Sequence, residues 1–137
     1  MTMEHELELA IRFLSNIGCG GVEDIHYAED LTAWSGISGL MTRDVYLPKL
    51  DIVQQIFAEP LTLKIDATTA QPGRVAVQAR SRGLLFTGVE YTNDYHFLVE
   101  FNDRGQIRHV REYFDIVRAR EALVPAMQQW NARQPTA

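Results

Sequence analysis

Cysteine is nearly absent. Cys19 is the only one among 137 residues, so the chain cannot form an intrachain disulfide. A reducing, cytoplasmic setting is the expectation for such a chain. Positive charge is also scarce: 13 Lys and Arg stand against 18 Asp and Glu, a formal net charge of −5. That balance argues against nucleic acid or an anionic membrane as partner, because both call for a basic excess. No apolar run approaches the roughly 18 residues needed to cross a bilayer. The opening "MTMEHELELA" is acidic and amphipathic, unlike a secretory signal. His5, His26, His96 and His109 form no pair at ligand spacing, so no metal is expected. "GCGG" (Gly18 to Gly21) lacks the lysine of a phosphate-binding loop and reads as a helix stop and restart. Nothing brings Cys19 and His26 into contact as a nucleophile pair.

What is present is an ordered change of pattern. Leu7, Leu9, Ala10, Ile11, Phe13, Leu14 and Ile17 recur at helical spacing over Glu4 to Ile17. "GGVEDIHYAED" has room for a short second helix, Leu31 to Trp34 reads as a strand, and "SGISG" as a loop. Thr42 is a candidate N-cap for a helix reaching about Phe57, with Pro48 unsettling its first half. "LTLKIDATTA" and "RVAVQARSR" flank a "QPG" turn as a hairpin. A short strand at Leu84 to Thr87, long strands over Tyr91–Phe101 and Gln106–Phe114, and a helix over Asp115–Trp130 follow. The helix is expected to bend or break at Pro125. Helices first and antiparallel strands afterwards make the α+β pattern: a curved antiparallel sheet with helices on its concave face, enclosing a pocket. One domain over 1–131 and a flexible tail over 132–137 are expected.

The stretch "YTNDYHFLVEFNDRGQIRHVREYF" carries the chemistry. Alternation puts Tyr95, Phe97, Val99 and Phe101 on one face. An even-length turn at "NDRG" pairs Phe101 with Gln106, Phe97 with Val110 and Tyr95 with Glu112. Val110, Glu112 and Phe114 then join the aromatic face, while Ile107, His109, Arg111 and Tyr113 face outward. An odd-length turn reverses the faces. On the even register Glu112 sits in an apolar cavity beside the Tyr95 hydroxyl, poised for general acid–base work. The competing reading is a carboxylate paired with a buried arginine to hold the sheet.

In "ARSRG", strict alternation sends Arg80 and Arg82 to solvent, and a bulge near Ser81 or Gly83 reverses that. Trp34 is a candidate for the cavity mouth or for plain packing. Phe13, Phe97, Val110 and Phe114 complete the expected ligand-binding set. The outward sheet face mixes apolar and charged residues, which suits a homodimer.

The segments "AEDLTAW" (Ala28 to Trp34), "SRG…TG…Y.NDYHF" (Ser81 to Phe97) and "G.I…REY.D" (Gly105 to Asp115) resemble the nuclear transport factor 2-like superfamily. The SnoaL-like and ketosteroid isomerase-like branch is the most similar part of it. The resemblance implies a cone of curved sheet around a ligand pocket, usually dimeric. It does not imply one activity, because isomerases, cyclases, epoxide hydrolases, dehydratases and binders share the fold. The base aspartate of ketosteroid isomerase falls here at about Ser35, and its oxyanion-hole acid at Phe97. Of the aspartate–arginine–aspartate set of limonene epoxide hydrolase-like enzymes, the resemblance leaves Glu112 and Arg80, with Arg82 replacing the second acid. It thereby implies an inward Arg80. The expected function is a cofactor-free pocket protein acting on a small apolar molecule that carries oxygen. Glu112, Tyr95 and Arg80 serve as isomerase, cyclase or hydrolase machinery, or the cavity binds without catalysis and Glu112–Arg80 is a structural ion pair.

Overall fold

In the computed structural model, which describes residues 2–134, the expected α+β order is present. Helix α1 spans Met3–Ser15, with the Thr2 hydroxyl accepting from the His5 amide at its start. The glycine stretch then breaks the chain. A Cβ on Gly18 would run into the Leu61 carbonyl, and Gly21 adopts a φ of +78° open mainly to glycine. The short second helix is only a 3-10 turn over Asp24–His26.

Strand β1 begins at Tyr27, earlier than expected, and runs to Ser35. "SGISG" turns the chain into a further strand, β2 (Gly39–Thr42). Helix α2 (Arg43–Gln55) continues through Pro48, and β3 (Phe57–Gln71) hairpins with β4 (Arg74–Leu85) through Gly73. Leu84 and Leu85 thus end β4 rather than form a separate strand. The buried Glu6 carboxylate of α1 accepts from the Gly73 amide at 2.9 Å and ties the helix to that turn. β5 (Glu90–Phe101), β6 (Ile107–Phe114) and α3 (Ile116–Arg133) follow, and α3 runs on through Pro125. Ala132 and Arg133, expected in the tail, are helical, and residues 135–137 lie outside the described residues.

The six strands form one curved, unclosed sheet in the order β2-β1-β6-β5-β4-β3. Its pairings are antiparallel except one: β1 runs parallel to β6, with Ser35 beside Glu112. A wholly antiparallel sheet is therefore corrected. β1 reaches the free edge of β6 from the far end of the chain, and a pairing of that separation leaves no local turn signature.

Two apolar clusters fill the concave side. One gathers Leu9, Phe13 and Leu14 of α1 against Val75, Val77, Phe97 and Val99 of the sheet. The other gathers Ile56, Phe57, Leu85 and Tyr91 under Ala119 and Ala126 of α3. Along β4 the burial alternates strictly, Val75, Val77, Ala79 and Ser81 inward and Gln78, Arg80 and Arg82 outward.

Candidate functional site

The β5–β6 register decides where Glu112 points. Asn102 and Gln106 close the turn by a 3.0 Å backbone bond, leaving Asp103, Arg104 and Gly105 as a three-residue loop with Gly105 at φ +72°. The turn is odd. Alone it would pair Phe97 with Arg111 and turn Glu112 to solvent. Between Glu100 and Phe101 the register shifts, and Arg108 is the extra residue. The bulge cancels the odd turn. Tyr95 pairs with Phe114, Phe97 with Glu112 and Val99 with Val110. The expected pairing was two residues out, which keeps the faces, so Glu112 is inward as read. Ile107, expected outside, is fully buried opposite Phe101 because it precedes the bulge.

A cavity of about 120 Å³ lies at the seam of the two clusters. Ile17, Leu50, Leu63, Tyr95 and Phe97 line it from the first; Val53, Phe57, Leu61, Tyr91, Phe114 and Leu123 line it from the second. Glu112 is the one charged residue in its wall. Among the described residues, the Glu112 carboxyl makes no hydrogen bond and no ion pair within bonding distance. Burial alone pushes its pKa up to about 7. Glu112 is half-buried as a residue, and the cavity wall beside it is otherwise uncharged, made of apolar and tyrosine side chains.

Tyrosines gather round it. The Tyr95 and Tyr91 hydroxyls lie 3.0 Å apart, and Asn93 Nδ2 donates to the Tyr91 hydroxyl at 2.8 Å. Tyr95 therefore bonds to Tyr91, which corrects the expected bond to Glu112. Burial first, then the neighbouring Tyr91 and Glu112 charges, raise the Tyr95 pKa far above the usual phenol range. The Tyr91 phenol is raised as well, again chiefly by burial, with the hydrogen bonds from Tyr95 and Asn93 acting against it. Tyr46 of α2 is buried with no partner for its hydroxyl, and burial and then the Glu112 charge hold it protonated. The Ser81 hydroxyl is buried beside Tyr95 and influences its pKa, but it makes no hydrogen bond of good geometry.

Other expected site residues lie elsewhere. The inward Arg80 implied by the resemblance is corrected. No bulge interrupts β4 pairing with β5, and Arg80 grips Asp66 on the outer face by two bonds of 2.9 and 3.0 Å. A Glu112–Arg80 ion pair is thereby excluded. Arg82 is outside too, bonded to Glu90 at 3.1 Å. Trp34 is on the outer face, 4.3 Å from the Arg111 guanidinium and 5.2 Å from the Tyr113 ring, because it alternates with the inward Ala33 and Ser35. Val110 and Phe13 are buried in the first cluster and do not reach the cavity; Phe13 packs edge-on to Tyr27. Phe97 and Phe114 line the cavity as expected. Ser35 uses its hydroxyl to accept from the Ser38 amide. Tyr91, Asn93 and Tyr46 went unread in the sequence. "YTNDY" did hold a signal for two of them, since Tyr91 and Asn93 share the face of Tyr95 by alternation.

The described residues hold no cluster of three or more His, Cys, Asp or Glu fit for a metal ion, and no described helix is long and apolar enough to cross a membrane.

No family model matches the chain, and no curated protein matches it by sequence. Solved structures do. PrhC from Penicillium brasilianum superposes with a TM-score of 0.78 at 17% identity, over 97% of this chain and 95% of that one. An NTF2-like protein from Anabaena variabilis gives a TM-score of 0.68 at 23% identity, over 84% and 94%. An LEH-like epoxide hydrolase from M. tuberculosis gives 0.68 at 13% identity, over 96% and 98%.

Proposed function

We propose that this chain, which has the nuclear transport factor 2-like fold, is a small-molecule pocket protein of the SnoaL-like or ketosteroid isomerase-like type. Its Glu112 performs acid–base catalysis, without a cofactor, on a small apolar molecule that carries oxygen. One observation carries this reading: a carboxyl in an apolar cavity, with no protein group bonded to it and a pKa of about 7. A buried carboxylate that holds a fold together is ordinarily paired, and among the described residues this one has no partner. At neutral pH it is divided between acid and base forms, which suits it to take a proton and return it. In the reaction proposed, Glu112 removes a proton from carbon or from water. A phenol of the tyrosine group donates to the substrate oxygen on which negative charge develops. Arg80 has no part in this, since it faces solvent.

Glu112→Gln keeps the shape and removes the base. Turnover of a substrate should fall by roughly 10²- to 10⁴-fold, while binding of the same compound, measured by calorimetry, persists. Unchanged turnover would sink the catalytic reading. A second reading, binding without catalysis, draws support from Ser35 and Phe97 standing where the ketosteroid isomerase pattern has acids. The volume also favours it, because about 120 Å³ is below the roughly 300–1,000 Å³ of usual ligand pockets. Any substrate of steroid size needs α2 and α3 to part.

A second copy of the chain on the outer sheet face belongs to the proposal, with Trp34, Leu98 and Tyr113 as its apolar contacts. So does a cytoplasmic setting, given the exposed lone Cys19. Leu98→Glu should leave the protein folded and shift sedimentation from dimer to monomer. A variant that sediments like the parent would count against that face.

A further inference from the structure

Asn93 is buried, 2% exposed, and every one of its polar groups is committed. Its Oδ1 accepts from the backbone amides of Asp94 at 2.8 Å and Asp115 at 3.1 Å. Its Nδ2 donates to the Asp115 carbonyl at 2.9 Å and to the Tyr91 hydroxyl at 2.8 Å. Two backbone donors on one side and a backbone acceptor on the other fix which end of the amide is oxygen and which is nitrogen. The amide cannot flip without losing three bonds at once.

That orientation has a consequence for proton counting. Tyr91 must accept from Asn93, so its own proton is not spent there. Tyr91 and Tyr95 share one hydrogen bond, and that bond uses one of their two phenol protons. Among the described residues the second proton has no taker: the nearby Ser81 hydroxyl makes no bond to it, and the phenols' bonds run to each other and to Asn93, not to Glu112. Both tyrosines line the cavity. We infer that Asn93 is a positioning residue that makes the Tyr91–Tyr95 pair a hydrogen-bond donor toward the cavity. The site therefore selects molecules with an acceptor oxygen, a ketone or its equivalent, over hydrocarbons of the same shape. This rests on the pocket reading above and names its substrate class. It also sets the two polar ends of the cavity in complementary roles, a donor at the phenols and a proton acceptor at Glu112. Hydrogen bonds in a chain reinforce one another, so donation from Asn93 strengthens the proton offered at the other end.

Cyclohexanone and methylenecyclohexane test it, since they differ only in oxygen against CH₂. Their single ring is close in size to the benzene that an apolar cavity of about 150 Å³ accepts. Isothermal titration should show the ketone bound about three- to tenfold more tightly. The infrared C=O stretch of the bound ketone should lie below its value in hydrocarbon solvent. In Asn93→Asp the carboxylate accepts from Tyr91, Tyr95 turns its proton to Tyr91, and both the preference and the infrared shift should shrink. If that variant does not fold, Tyr91→Phe carries the test: cutting the chain should reduce the infrared shift, and an unchanged shift overturns the role of Asn93. Equal binding of the two probes to the unaltered protein overturns the inference and leaves the cavity standing. Binding of neither overturns the cavity reading and the inference with it. A full preference retained in folded Asn93→Asp overturns the role of Asn93.

Discussion

Asp66 and Glu112 are carboxylates of one sheet, and their surroundings pull them in opposite directions. Asp66 lies on the outer face in a two-bond grip with Arg80, which holds its pKa below the ordinary value. Glu112 lies on the inner face among aromatic rings, unpaired, and burial raises its pKa to about 7. The outer face treats charge as a matter of solubility: Arg82 meets Glu90, Arg74 meets Glu100, and all are open to water. The inner face admits one carboxylate and gives it no counter-ion. Pairing marks the structural side of the sheet, and isolation marks the side where chemistry is possible.

The largest test of that contrast is Phe97→Ala. Phe97 is buried opposite Glu112 and stacked on Tyr95 at 5.2 Å. Its loss should cost about 3–5 kcal/mol in urea unfolding, and a loss under 1 kcal/mol would mean that the inner wall is not close-packed.

Next comes the pH dependence. Between an unfolded value near 4.5 and a folded value of about 7, native Glu112 keeps a proton that the unfolded chain has released. Stability should therefore fall as pH rises through that window, by up to about 3 kcal/mol, and level off above it. Glu112→Gln should flatten that part of the profile and be the more stable protein at pH 8. Parallel profiles for the two proteins would show that Glu112 titrates like an exposed acid.

The smallest effect is expected from Arg80→Ala. Its partner is solvent-exposed, so thermal midpoint and cavity-probe affinity should both match the parent. A lost affinity would mean that the outer face reaches the cavity after all.

The alternation of β4 was legible, and it placed Arg80 correctly outside. The resemblance drew Arg80 inward by carrying over an enzyme's arginine without its strand geometry. Glu112 was legible as an inward carboxylate only because an odd turn and a bulge offset each other, and nothing about Arg108 announces a bulge. In the sequence, Trp34 stays open between the cavity mouth and plain packing because the parallel pairing of β1 with β6, which sets the facing of that strand, has no local signal. Tyr46 was out of reach for a related reason. Its partnerless hydroxyl depends on how α2 lies over the sheet, which no period within the helix specifies.

The extra residue at Arg108 makes the site a question of parity. With the turn and the bulge kept, a chain that gains one residue in the β5–β6 loop would present Arg111 where Glu112 now stands, and one that loses a residue would present Tyr113 there. Only changes in pairs leave the carboxylate in place. Among chains of this fold, the length of one surface loop, odd or even, can separate a cavity that holds an acid from one that does not.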